Sequence, residues 1–303
     1  MIDVCLLGTG GMMPLTYRWL TSLLMRYNGN DVLIDCGEGT QIALSRAGFS
    51  PNPIDIICLT HYHADHVSGL PGMLLAMGNA DRTEPVTIIG PKGLNRVVSS
   101  LRVIAPKLPF LVECIEIDGE FDTFYFEGFR IEAFKVNHNV LCYGYSLVVD
   151  RQGRFDRERA EAQGIPMKLW SRLQKGESIE DNGTVYTPDM VLGGARKGLK
   201  VTYSTDTRPT ESIMENGKGA DLLILEGMYG EADKQKDARE KKHMTMYEAA
   251  EIGRELDVPE LWLTHYSPSM GHPENFKDAV RKIFDRTVIA KDGRRTELDF
   301  TDE

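Results

Sequence analysis

Short apolar runs separated by polar turns recur along most of the chain, and their periods sort them into strands and helices. Runs near residues 2–7, 22–27 and 31–35 read as strands, followed by a helix near 38–47. The continuous run Ile54–Leu59 reads as a buried strand ending at Thr60, and a helix follows over 67–79. Strand Val86–Ile89, a helix over 92–104 and β-rich stretches at 110–118, 121–136 and 142–149 come next. The second half carries strands near 200–204, 221–226 and 261–264, with helices at 246–256 and 274–284. Strands and helices mixed in this order predict an α/β fold built on a pair of sheets flanked by helices.

One stretch breaks the rhythm. From Arg151 to Gly198 the chain is polar, charged and turn-rich, with one short amphipathic piece, Met167-Lys-Leu-Trp-Ser-Arg-Leu173. A segment this long without clear elements is either functional or disordered. Lys168, Arg172 and Lys175 follow at intervals of four and three, so on a helix they share one face. That stripe reads either as a contact for phosphates or as an ordinary solvated face, with Leu169, Trp170 and Leu173 free to make a dimer contact. No Pro-rich or Gly/Ser-rich linker divides the chain, and no solenoid repeat appears, so 1–303 reads as one domain with an arm at about 151–198.

The chemistry concentrates at the end of the fourth strand. Residues 61–66 read His-Tyr-His-Ala-Asp-His, which gathers three of the chain's seven histidines around one carboxylate. His61 and His63 stand two apart on extended chain and project to one side, while Asp65 and His66 lie where the chain turns toward the helix. Neutral imidazoles and a carboxylate around one point are a zinc-type ligand set. His138, Asp206 and His265 each follow an apolar strand much later in the chain. In an α/β sheet, strand ends gather at one edge, so these residues can join the first cluster. The metal ligands then span His61 to His265.

These motifs, together with Leu7-Gly-Thr-Gly10, Ile34-Asp-Cys-Gly-Glu-Gly-Thr-Gln41, Tyr203-Ser-Thr-Asp-Thr-Arg-Pro209 and His243-Met-Thr245, resemble the metallo-β-lactamase-fold hydrolases. Within them the chain is similar over nearly its whole length to the ribonuclease Z family, zinc endonucleases that remove 3′ trailers from precursor tRNA. The resemblance implies a four-layer αββα sandwich and two Zn²⁺ per chain. It implies that His61, His63 and His138 hold one ion, Asp65, His66 and His265 the other, and that Asp206 bridges them. It further implies Asp65 as the residue that orients or deprotonates water, His243 as general acid, and Glu226 as the carboxylate orienting His243. On local sequence alone His243 is a loop residue before the capping box Thr245-Met-Tyr-Glu248. The family carries a tRNA-gripping arm at the position of 151–198, which gives Lys168, Arg172 and Lys175 a substrate-binding role, and the family suggests a homodimer.

A formal charge of −10 runs against the basic footprint of a nucleic-acid binder. Two Zn²⁺ against two aspartates would leave the site locally positive by about two charges. Five widely spaced cysteines without a CxxC pair read as packing residues in a reducing cytoplasm. The chain enters a strand at Ile2 without a leader, and no apolar run is long enough to span a bilayer. Three functions therefore compete: a tRNA 3′-endonuclease, a dizinc phosphodiesterase for a small diester such as a cyclic nucleotide, and a catalytically silent binding protein. The complete set of seven ligands speaks against the last.

Overall fold

The computed structural model describes residues 1–194 and 196–301. Strands β1 (Ile2–Gly8), β2 (Ser22–Tyr27) and β3 (Asn30–Ile34) form a meander closed by helix α1 (Thr40–Arg46). Parallel crossovers follow through β4 (Ile54–Cys58), α2 (Ala64–Val67), α3 (Leu70–Asn79), β5 (Val86–Gly90), α4 (Leu94–Leu101) and β6 (Val112–Glu116). A second series begins with β7 (Phe121–Phe126), β8 (Phe129–Lys135) and β9 (Tyr143–Arg151). The segment after it holds α5 (Arg157–Ala162), α6 (Met167–Gln174), β10 (Ile179–Asp181) and β11 (Thr184–Tyr186). Then come β12 (Arg196–Ser204), α7 (Glu211–Gly217), β13 (Leu222–Glu226), α8 (Gln235–Lys241) and α9 (Met246–Leu256). The chain closes with β14 (Leu261–Thr264), α10 (Lys277–Arg281), β15 (Thr287–Ile289) and β16 (Arg294–Leu298).

Two seven-stranded sheets result, ordered β16-β1-β2-β3-β4-β5-β6 and β15-β14-β13-β12-β9-β8-β7. The alternation along β1 explains how they are covered. Cys5 and Leu7 pack in a cluster with Ala43, Leu44, Met73, Leu74 and Val98 from the helices of the first sheet. Val4 and Leu6, on the other face of β1, are also fully buried. A hydrogen bond of 2.7 Å from Tyr145 Oη on β9 to the Leu59 carbonyl ties the sheets together. The second sheet packs its outer face on α7, α9 and α10 through Ile213, Ala249, Ala250, Ile252 and Val280. The expected αββα arrangement is therefore met.

Several expected elements are divided differently. The helix expected over 67–79 begins earlier, as α2, and restarts as α3. The break falls at Gly69, where a Cβ would lie 2.0 Å from the Gly37 carbonyl oxygen. Asp65 and His66 consequently sit on a helical turn rather than before one. The stretch 121–136 is a hairpin, turned at Gly128 with φ 85°. The helix expected at 274–284 is a 3₁₀ turn at Pro273–Phe276 followed by the short α10. Among the described residues, no helix is long and apolar enough to cross a membrane.

Chain contacts divide the molecule into two compact units, Met1–Val148 with Lys200–Asp299, and Val149–Leu199 with the C-terminal residues. The second unit is not the elementless segment that its polarity suggests. Ala160, Ile165, Leu169, Leu173, Ile179, Val191 and Leu192 form a small core of its own. Trp170 packs on Phe155 and donates its indole N–H to the Ile165 carbonyl at 2.9 Å. Leu169 and Leu173 are thus buried within the unit and drop out of the dimer contact read for Leu169, Trp170 and Leu173, while Trp170 is half-buried. Leu173→Ala should cost about 2–5 kcal/mol in this small core. Hydrogen exchange should then show faster exchange in α5 and α6 with β13 and β14 still protected; uniform loss across the chain would contradict a separate core.

Candidate metal centre

Parallel strands β12, β13 and β14 end together, with Glu226 as the last residue of β13 and Asp206 and His265 just past the ends of β12 and β14. Past β4 come His61 and His63, with Asp65 and His66 on α2; past β8 comes His138. All seven expected ligands meet at this edge. His61, His63, His138 and Asp206 form one group, and Asp65, His66 and His265 a second, with the donor atoms in each group within 4.8 Å of one another.

The imidazoles are arranged so that ring nitrogens converge on each other. His61 Nε2 lies 2.9 Å from His63 Nδ1, and His138 Nε2 lies 3.4 Å from the same atom. His66 Nε2 lies 3.3 Å from His265 Nε2. The opposite nitrogens are held from outside. Asp35 accepts from His66 Nδ1 at 2.7 Å, Thr60 Oγ1 lies 3.0 Å from His61 Nδ1, and the Lys242 carbonyl accepts from His138 Nδ1 at 3.2 Å. With Nδ1 occupied, His61 and His138 aim Nε2 lone pairs at the centre, and His66 would do so on giving up its Nε2 proton to a metal.

Asp206 stands between the groups with one oxygen for each. Oδ2 lies 3.8 Å from both His61 Nε2 and His138 Nε2, while Oδ1 lies 3.3 Å from His66 Nε2 and 3.1 Å from His265 Nε2. Asp65 Oδ2 completes the second group at 3.6 Å from His66 Nε2 and 3.5 Å from His265 Nε2. Among the described residues, Asp206 Oδ1 and His265 Nδ1 are buried without a hydrogen-bond partner. A buried carboxylate oxygen without a donor is costly unless a cation completes it. The donor set of imidazole nitrogen and carboxylate oxygen therefore fits a divalent metal.

Charge and burial act together on these groups. Burial lowers the basicity of the His61 and His138 rings and favours the neutral donor form. Burial alone would raise the Asp206 carboxyl, but the facing His265, His66 and His61 hold it well below the usual carboxylate range. Burial would likewise lower His66, yet Asp35 and Asp206 push it well above the ordinary imidazole value.

His243 is organised differently. Distance alone also groups it with Asp206 and His265, but its Nδ1 engages Glu226 Oε2 at 2.9 Å. Glu226 is fully buried, and its other oxygen accepts from the Thr207 backbone N–H. Burial opposes the charge on His243, and the Glu226 carboxylate overcomes that, raising the imidazole to about 9. Arg208 donates to the His243 carbonyl and pairs with Glu248, the same residue that closes the capping box on Thr245. The capping box expected from sequence is present, so the helix cap also anchors the histidine.

Sequence reading gives four supports of this site no role in it. Asp35 and Thr60 orient two rings, and Arg208 and Glu248 fix the His243 backbone. Asp35 offers one local signal, a carboxylate closing the apolar run of β3. Gly11 is a further constraint, since a Cβ there would lie 2.5 Å from the His265 ring. Lys168, Arg172 and Lys175 belong to the second unit, where Lys168 pairs with Asp181 at 2.9 Å and Arg172 with Glu177 at 2.7 Å.

Comparison with known proteins gives the family and the fold. Residues 30–266 match the beta-lactamase superfamily domain. A ribonuclease Z of Lachnospira eligens is 58% identical over the full length of both chains. One from Clostridium acetobutylicum is 47% identical over 99% of each. The crystal structure of the short form of human tRNase Z superposes with a TM-score of 0.71, covering 98% of this chain and 100% of the human one at 22% identity, a likeness of fold. With the superfamily domain spanning most of the chain and relatives of this identity along its whole length, the protein belongs to the ribonuclease Z family of the beta-lactamase superfamily.

Proposed function

We propose that this protein is a zinc-dependent endoribonuclease that removes 3′ trailers from precursor tRNA by water attack on a phosphodiester. The observation that carries the reading is the division of Asp206 between two imidazole groups, a geometry for two ions sharing a carboxylate. It is supported by full-length relatives named ribonuclease Z. His61, His63 and His138 would hold one Zn²⁺, Asp65, His66 and His265 the other, and Asp206 both. When bound, such ions acidify a water nucleophile and neutralise charge on the phosphoryl oxygens.

The chain's own groups do the rest. Asp65, held by the Met12 backbone N–H at 2.6 Å, orients or deprotonates the attacking water. His243, charged through Glu226, donates a proton to the leaving 3′ oxygen. Lys168, Arg172 and Lys175 contact phosphates of the tRNA; all three are exposed, and the surface ion pairs of Lys168 and Arg172 are weak enough to exchange for phosphate. The reading includes a homodimer, on the family resemblance, and a cytoplasmic setting, supported by five unpaired cysteines.

Zinc-reconstituted protein should contain two ions per chain and cut a precursor tRNA, and chelator should abolish the cut. Asp206→Ala should lose metal from both positions, and a variant retaining both ions would refute the bridge. If the loaded protein hydrolyses a small diester and leaves every precursor tRNA intact, the small-molecule phosphodiesterase replaces this reading.

His243→Ala should keep its metal but slow tRNA cleavage by roughly 10²–10⁴-fold. Glu226→Gln should do less in the same direction. A nitrophenyl diester, whose leaving group needs little protonation, should suffer less from either change. Equal losses on the two substrates would assign His243 a structural role.

Replacing Lys168, Arg172 and Lys175 together by alanine should raise KM for precursor tRNA and spare kcat, with the effect shrinking at high salt. Cleavage indifferent to the triple change would remove the arm from substrate binding.

A further inference from the structure

The loop beside the second ligand group holds an unfavourable backbone. Met12 has φ 65°, and the Met13 N–H donates to the Gly11 carbonyl across it at 2.8 Å. This is a three-residue turn with a positive-φ centre, a rare and strained form for a residue bearing a side chain. Glycine would occupy the position without penalty. The turn also aims the Met12 N–H at Asp65 Oδ2, but a glycine N–H would serve there equally well. The side chain therefore needs its own explanation. It is not core packing, because Met12 is 59% exposed. It lines the same cleft as His63, Asp65, His138 and His243.

A second feature of that cleft points the same way. Among its described lining residues, Lys241 is the one permanently cationic side chain. Its carbonyl accepts from Asn139 Nδ2 at 3.1 Å, and the next residue, Lys242, has φ 56° and donates its Nζ to the His138 carbonyl at 3.1 Å. Lys241 is thus carried on backbone tied directly to the loop of a ligand histidine. Methionine is a polarisable, adaptable surface for an aromatic face, and lysine is a point charge for phosphate.

We propose that the mouth of the cleft is a nucleotide clamp, in which Met12 packs on the face of a nucleobase beside the scissile phosphodiester and Lys241 takes a neighbouring phosphate. The clamp rests on the endonuclease reading and sets where the strand is seated.

Met12→Gly should raise KM for precursor tRNA about two- to tenfold, a larger change than in kcat. Because the strained turn relaxes, Tm should hold or rise. A structural methionine would give the reverse, a lower Tm with KM unmoved, and that result overturns the clamp. Lys241→Ala should raise KM and reduce the slope of log KM against log salt by roughly 0.7–1, and Lys241→Arg should restore both. An unaltered slope overturns the role of Lys241. Should the intact zinc-loaded protein cut no precursor tRNA, the endonuclease reading falls while the clamp is read from adenosine monophosphate binding by calorimetry. There Met12→Gly and Lys241→Ala should each weaken Kd about two- to tenfold, and equal affinities would end the proposal.

Discussion

The burial of one carboxylate among five imidazoles governs the organisation of this protein. Asp206 sits at the end of β12 with each oxygen turned to a different group of histidines. An unpaired carboxylate in such surroundings would be expelled or protonated, and rings with lone pairs facing one another would repel. The arrangement is consistent as a site for divalent cations, and the surrounding structure is built to hold it before they arrive. Asp35 grips His66 and, through Thr60, reaches His61, so the ring planes are set from behind the centre.

Holding the donors requires backbone that the chain would not otherwise adopt. Asp35, Asp206 and His265 all have positive φ, near 61°, 53° and 55°. Asp and His are among the residues that tolerate this region best, yet each still costs about 1–2 kcal/mol relative to ordinary backbone. The strain lies at strand ends whose flanking residues are locked in the two sheets, so it is borne by the sandwich and not by the loops. Gly11 shows the same demand by omission, because the ring of His265 fills the space that any side chain there would need.

Beside the metal centre a proton site is assembled from residues with a different primary task. Glu248 closes the cap of α9, Arg208 links that cap to the His243 carbonyl, and Glu226 at the end of β13 holds the ring. Helix start, strand end and catalytic candidate form one hydrogen-bonded unit. The unit is balanced in charge, His243 against Glu226 and Arg208 against Glu248, so net positive charge where a phosphodiester would lie would have to come from bound metal ions.

Sequence alone determined the alternation of strands and helices and, in the string His61–His66, four of the seven donors, because these are local patterns; the sandwich, and the grouping of the isolated His138, Asp206 and His265 with them, came from the family resemblance. The Thr245–Glu248 cap was legible for the same reason. Other features came only with the fold. Asp35 supports His66 across 31 residues and Arg208 reaches Glu248 across 40, and no local pattern encodes such pairings. The helix that apolar spacing would continue is split at Gly69, whose N–H goes to the Cys36 carbonyl at 2.9 Å and whose missing side chain leaves room for the Gly37 backbone. The polar stretch after β9 read as lacking elements, yet its few apolar residues suffice for a core once two short helices and a hairpin bring them together. In the same way Leu169 and Leu173 turned inward, since burial beside Ala160 and Val191 removes them from water and an exposed face would not.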